Sequence, residues 1–287
     1  MRASDETGCE RDRLGALEPR ARDRLRQTTF RFYEELNDFL PPDRRKVAFV
    51  FAFTGTPSVK DSIEAIGVPH PEVDLILVDG DSVGFDHLLM GGERVAVYPV
   101  FERIDIAPLT RLRPEPLRMP RFVLDVHLGK LARYLRLLGF DTVYDRAYHD
   151  ATIAAISRSE RRIVLTRDKG LLKRKQVTRG YWLRNTDPRR QIAEVLEVFD
   201  LHRRAKIFSR CMMCNHVLET VAEASVRSSL PAGLRGQFGR ISRCPVCERL
   251  YWPGSHYDRL TELVGSLIGD EQGRDLCSEA ASCPGNR

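Results

Sequence analysis

Four aspartates and four cysteines hold the residue types and spacings that could do chemistry in this chain. Asp125, Asp150, Asp168 and Asp187 each sit where a short apolar run gives way to a helical pattern. Carboxylates are hard oxygen donors that suit Mg²⁺ or Mn²⁺, and such ions activate water and stabilise the oxyanions of a phosphodiester under in-line attack. Each acid also has a plainer reading, because Asp is a preferred N-cap whose oxygen accepts backbone N–H bonds. Taken singly, Asp150 reads as a cap, and Asp187 fits either role. Taken together they ask for more: three or four carboxylates at one sheet edge repel one another, and a divalent cation relieves that repulsion. On this reading Asp125, which ends the run RFVLD, is a metal ligand rather than a helix start.

Cations surround these acids. Lys130, Arg133 and Arg136 follow Asp125, and Arg167 and Lys169 flank Asp168; a polyanionic substrate would suit them, as would an ordinary solvated helix face. In the run TRD, Thr166 either orients a metal-bound water or a phosphate, or satisfies a strand end. Arg167 either stabilises transition-state charge or forms an ion pair.

Cys211-Met-Met-Cys214 and Cys244-Pro-Val-Cys247 are two C-x₂-C knuckles separated by 29 residues. Two such pairs supply four thiolates to a tetrahedral Zn²⁺, and with every position filled by sulfur the ion is structural. Arg210, Arg235, Arg240, Arg243 and Arg249, with Tyr251, Trp252 and Tyr257, would hold single-stranded RNA by charge and stacking. The arginines would equally serve solubility and the aromatics a small core. His216 and His256 read as structural. Cys9, Cys277 and Cys283 lie in polar tails.

Strand and helix patterns must position these groups. After residue 120 the chain alternates RFVLD, a helix over about 128–138, DTVYD, a helix after Asp150, RIVLT, a short helix, YWLRN and RQIAEVLEVF. That alternation predicts a parallel sheet with crossover helices, and ligands collect at the carboxyl ends of such strands. In the first helix Leu128, Leu131, Leu135 and Leu138 form the buried stripe and Gly139 the stop. Upstream, TTFRFY and KVAFVFAF read as strands, PSVKDSIEAIGV as a helix, DLILVDGDSV as a hairpin around Asp79 and Gly80, and ERVAVYPVF as a last strand. The segment APLTRLRPEPLRMPR joins the two regions, with four prolines and Arg111, Arg113, Arg118 and Arg121. It reads as a semi-rigid linker.

The chain has 287 residues, 42 % of them hydrophobic, enough for two compact domains and a smaller module, and its formal net charge is +6. That excess suits a nucleic-acid partner without requiring one. No apolar run approaches the roughly 20 residues that cross a bilayer, and the charged start MRASDETGCERDR is unlike a signal peptide. The expectation is a cytoplasmic protein with no membrane role, in which paired cysteines are metal ligands rather than disulfides.

Two resemblances add to this. The strand and helix pieces before the linker, above all DLILVDGDSVGFDHLLMGGERVAVYPVF, resemble the β-grasp fold of ubiquitin-like sulfur carriers. Working carriers end in a free diglycine; Gly91 and Gly92 lie inside a turn here, so a docking or packing role is expected in place of sulfur transfer. LDVHLGKLARYLRLLGFDTVYD, the later Asp150, IVLTRDKGLL, and the run from CMMCNHVLE to CPVCERLYWPGSHY resemble the Mut-seven C-terminal RNase domain. That family joins a PIN-like nuclease fold to a zinc ribbon, and its bacterial members often carry a ubiquitin-like domain in front. The resemblance implies metal-dependent cleavage of RNA, with Asp125, Asp150 and Asp168 as the matching acids and Asp187, in the motif TDP, as a further one. Lys130, Arg133, Thr166 and Arg167 would then bind substrate.

The expected organisation is an α/β protein. A tail covers residues 1–26, a β-grasp domain 27–106, the linker 107–120, a PIN-like parallel-sheet nuclease domain 121–205, a zinc ribbon 206–262 and a second tail 263–287. Expected partners are RNA, with tRNA or another structured RNA among the candidates, and a protein docking on the β-grasp domain. The competing reading is a noncatalytic RNA- or ribosome-binding protein whose acids only cap helices.

Overall fold

The structure is a computed structural model that describes residues 25–99, 112, 120–238, 240–252, 260 and 262–265. Cys9, Cys277, Cys283, His256, Tyr257 and the linker arginines Arg111, Arg113 and Arg118 lie outside the described residues. Among the described residues no helix is long and apolar enough to cross a membrane.

The N-terminal unit is a five-stranded sheet with one helix. Its elements are β1 (Leu25–Phe32), β2 (Phe49–Thr54), α1 (Val59–Ile66), β3 (Val73–Val78), β4 (Asp81–Ser82) and β5 (Arg94–Pro99). The strand order is β2-β1-β5-β3-β4, with β1 and β5 parallel at the centre and the other pairs antiparallel; this is the expected β-grasp arrangement. Period-two alternation drives it: Thr28, Phe30 and Phe32 point inward along β1. Val59 and Ile63 of α1 close the core from the other side. The turn between β3 and β4 has positive φ at both Asp79 (52°) and Gly80 (98°), the backbone a two-residue hairpin of the right twist needs.

The central unit is a three-layer sandwich. Its strands are β6 (Phe122–Leu124), β7 (Thr142–Val143), β8 (Ile163–Thr166) and β9 (Gly180–Trp182), all parallel in the order β7-β6-β8-β9. The helices are α2 (Gly129–Leu137), α3 (Asp150–Glu160), α4 (Lys169–Leu172) and α5 (Pro188–Val198). Phe122, Leu124, Ile163 and Leu165 face the layer of α2 and α5, while Val123 and Val164, one residue out of phase, face α3 and α4. Strands covered on both sides read as continuous apolar runs, which is why they lack polar alternation. The stripe Leu128, Leu131, Leu135 and Leu138 is buried as expected, each side chain contributing about 1.5–3 kcal/mol. Gly139 ends that turn with φ +88°, where a Cβ would collide with the Lys206 carbonyl oxygen. Arg136 departs from the charged-face pattern. It is only 4 % exposed and spends its donors on the carbonyls of Thr142 (2.9 Å) and Met213 (2.7 Å).

The C-terminal unit has three antiparallel strands, β10 (Glu219–Ala222), β11 (Arg240–Arg243) and β12 (Leu250–Tyr251), with the four-residue helix α6 (Glu223–Val226) after β10. It attaches at the amino-terminal end of β7. Asn215 accepts from the Thr142 amide (2.9 Å) and donates to Asp141 (2.8 Å), and Arg136 adds its bonds to Met212 and Met213.

The β-grasp unit packs against β9, an edge strand of the parallel sheet. Glu72, 2 % exposed, accepts from the Trp182 amide and from Arg184 (3.4 Å), whose Nε also reaches Asp38 (3.2 Å). The Phe39 and Trp182 rings meet at 5.3 Å, with the Lys169 ammonium 4.2 Å from the Trp182 ring.

Candidate active site and metal centre

The order β7-β6-β8-β9 contains one topological switch point. The chain leaves β6 towards β7 on one side and returns through α3 to β8 on the other, so the connections diverge between the carboxyl ends of β6 and β8. Crevices of this kind are where open parallel sheets bind ligands. Asp125 follows β6 there, and Thr166 ends β8. Thr166, with no exposed surface, donates its hydroxyl to Asp125 Oδ2 at 2.7 Å and accepts the Asp168 amide at 2.9 Å. One side chain thus ties two of the candidate acids together.

Asp125 is 8 % exposed and, although it precedes the 3-10 turn Val126–Leu128, its carboxylate makes no capping bond. The helix-start reading therefore fails for this residue. Its Oδ1 takes no hydrogen bond from a described residue and is not among the sealed, unpartnered polar atoms. A hard cation fits such an oxygen: it is a partly desolvated carboxylate with no ion-pair partner among the described residues.

The other three acids are engaged differently. Asp168 accepts the Gly170 amide at 2.7 Å and caps α4, and Asp187 accepts the amides of Arg189 (3.0 Å) and Arg190 (3.1 Å) and caps α5. Asp150 is not the cap it resembles in the sequence. His149 holds that position, and Asp150 lies in the first turn of α3 with Oδ2 3.3 Å from Arg174 Nη2. All four acids follow the carboxyl ends of strands of one parallel sheet. Among the described residues, however, no three of their oxygens lie within 4.8 Å of one another.

Lys130 and Arg133 are exposed on the first turns of α2, immediately after Asp125. Arg167 is partly committed, its Nη1 bonding the carbonyls of Leu183 (3.2 Å), Arg184 (2.8 Å) and Asn185 (2.8 Å) in the loop after β9.

Cys211, Cys214, Cys244 and Cys247 present four sulfurs within 4.8 Å of one another. The closest approaches are 3.3 Å between Cys214 and Cys244 and 3.5 Å between Cys211 and Cys247; a zinc tetrahedron with bonds of roughly 2.3 Å has edges of roughly 3.8 Å. The two loops share one backbone form. In each, the amide four residues after the first cysteine bonds back to that cysteine's carbonyl, at 3.0 Å for both Asn215 and Glu248, and both residues have positive φ (71° and 57°). Burial raises the Cys211 thiol, but the Tyr251 hydroxyl at 3.1 Å and neighbouring amides outweigh it and hold it at about 6. A thiolate at neutral pH is what a metal requires. Trp252 packs on the small cluster of Val226, Leu230 and Ile241, so of the aromatics proposed for stacking one is core and another, Tyr251, braces a sulfur.

Sequence reasoning missed Glu72 and Arg184, whose pairing no local pattern announces, and it missed the cations Arg158, Arg174 and Lys175, of which Arg174 pairs with Asp150.

The family described as the Mut7-C RNAse domain matches residues 120–264, and the one described as Mut7-C ubiquitin matches residues 26–105. No curated protein and no solved structure matches the chain. The RNase match covers half of the chain, takes in all four cysteines and contains the switch-point crevice, so the chain belongs to the Mut7-C RNAse domain family, with a Mut7-C ubiquitin domain ahead of the nuclease-type unit.

Proposed function

We propose that the protein is a metal-dependent ribonuclease whose hydrolytic centre is built on Asp125. One observation carries this reading: a carboxylate 8 % exposed at the switch point, held through one oxygen by Thr166 and leaving the other available. Asp125 would hold Mg²⁺ or Mn²⁺, with Asp168, Asp150 and, at the far strand, Asp187 on the same sheet edge. Bound there, the ion supplies an activated water and neutralises charge on the phosphodiester. Mg²⁺ commonly takes only one or two protein carboxylates and completes its shell with water and substrate phosphate, which suits acids that share an edge without converging on a point.

The remaining roles belong to the chain's own groups. Thr166 fixes the Asp125 carboxylate and so sets where its free oxygen points. Lys130 and Arg133, with no ion pair among the described residues, attract the phosphates. Arg167 holds the loop after β9 and adds positive charge to it. Zn²⁺ in the four-cysteine site would fold the C-terminal ribbon, which grips RNA at a distance because it is anchored to the opposite end of β7.

The test is to incubate wild type and Asp125→Asn with total cellular RNA and Mn²⁺ and to sequence the new ends. Asp125→Asn is expected to remain folded and to lose cleavage by more than about 100-fold, since losing even a group that only hydrogen-bonds a metal's ligand costs about 10–100-fold. Full activity of this variant would remove the proposal. The capping bonds of Asp168 and Asp187 favour a second reading, a noncatalytic RNA-binding protein. It predicts RNA bound with a steep salt dependence and left intact with every divalent ion.

A further inference from the structure

The nuclease-type unit carries a positively charged cleft away from Lys130 and Arg133. Ala151 and Arg158 of α3 face the loop between α4 and β9, and with Arg174, Lys175, Gln176 and Thr178 they line an open cleft of about 690 Å³. Three of these six residues are exposed cations and none is an acid. Ala151 and Arg158 are seven residues apart, two turns of one helix face and about 10.5 Å along its axis. The cleft therefore runs lengthwise down α3 rather than surrounding a point.

Its two ends differ. At one, Arg174 Nη2 lies 3.3 Å from Asp150 Oδ2, so the cleft opens beside a candidate acid at the carboxyl edge of the sheet. From there it leads towards Arg158 in the last turn of α3. The loop that forms its second wall is fixed from behind: Val177 is fully buried, its amide bonds the Arg174 carbonyl at 2.9 Å, and Lys173 reaches the Glu64 carbonyl of the β-grasp unit at 3.4 Å. That anchoring projects Arg174, Lys175 and Gln176 outward.

We propose that this cleft binds the sugar-phosphate backbone of an RNA strand and carries it along α3 from the acid edge. The ligand class follows from the lining: cations and amide or hydroxyl groups spaced along a groove match successive phosphates. No aromatic or large aliphatic side chain lines it, whereas protein interfaces need such anchors. The direction of the strand rests on the ribonuclease reading; the ligand class does not.

The test uses the full chain and a labelled single-stranded RNA oligonucleotide of mixed sequence. Binding is measured in the Asp125→Asn background against salt, and cleavage in the wild-type background. The double variant Arg158→Glu/Lys175→Glu is compared with Arg203→Glu/Lys206→Glu, which makes the same charge change off the cleft, and unfolding temperatures check that both fold. The cleft variant is expected to bind about tenfold more weakly, with a log–log salt slope shallower by about 1.4, from about 0.7 per single-strand phosphate contact. Its KM should rise with kcat kept. Equal effects from the two variants, or none from either, overturn the cleft while leaving cleavage by the wild type to stand or fall separately. A wild type that binds but never cleaves, with binding lost in the cleft variant, supports the cleft and removes the nuclease reading. Capture of an acidic protein through these residues with no RNA affinity also overturns it.

Discussion

Thr166 is the side chain on which the Asp125 proposal turns most directly. Its hydroxyl donates to Asp125 and accepts from the Asp168 amide, so one oxygen of a residue with no exposed surface serves two partners. Thr166→Val keeps the shape and removes both bonds. The expected cost is about 1–3 kcal/mol, because a part-buried amide and a carboxylate oxygen lose their partner. Urea unfolding reads that cost, and cleavage should fall with it; Thr166→Ser, which restores the hydroxyl, should recover both. A Val variant of unchanged stability and activity would make the threonine a mere strand end. The positions of Asp125 and Asp168 just after strand ends were legible in the sequence because a polar residue ending an apolar run is a local signal. The distinction between ligand and cap was not: Asp187 caps α5 and Asp150 leaves the cap to His149, and the two outcomes depend on backbone angles that composition does not encode. Arg136 was misleading for a different reason, since its carbonyl partner Met213 lies 77 residues away.

Elements were more readable than residues. The α2 stripe, the Asp79-Gly80 hairpin and the alternation of strands with helices all rest on spacing within a dozen residues, and each appears in the fold. What spacing could not give is the order β7-β6-β8-β9, which depends on where α3 crosses, or the place at which the ribbon attaches. That attachment makes a separate prediction. The ribbon's own cluster is small, with Val226, Leu230 and Ile241 at its centre, so a metal held by the four cysteines would supply much of its stability. Cys214→Ala/Cys247→Ala is expected to abolish zinc uptake and to expose the amides of β10–β12 to hydrogen exchange. The amides of β6 and β8, covered by their own helices, should keep their protection. Loss of protection in both sheets together would mean that the ribbon and the nuclease-type unit fold as one cooperative body through Arg136 and Asn215.

At the scale of the molecule, the β-grasp unit is a cover for an exposed sheet edge. β9 would otherwise present unpaired backbone groups, a liability that proteins manage by covering or charging the edge, and Glu72 accepts the Trp182 amide while Arg184 closes the pair. Burial pushes the Glu72 carboxyl up to about 7 from 4.5, more than Arg184 and the Trp182 amide lower it. The docked state therefore holds a proton that a solvent-exposed Glu72 would release between about pH 4.5 and pH 7. By linkage, docking is strongest below pH 4.5 and weakens as the pH rises through about 7, the reverse of an ordinary salt-bridged carboxylate. The protection factor of the Trp182 amide reports this directly, being corrected for intrinsic exchange. It should fall across that interval in the wild type and stay level in Glu72→Gln, which keeps an acceptor and cannot ionise. Glu72→Ala should lower protection at every pH while leaving the β8 amides unchanged. If the wild type and Glu72→Gln trace the same curve, the carboxyl is charged throughout and Arg184, rather than a retained proton, holds the two units together.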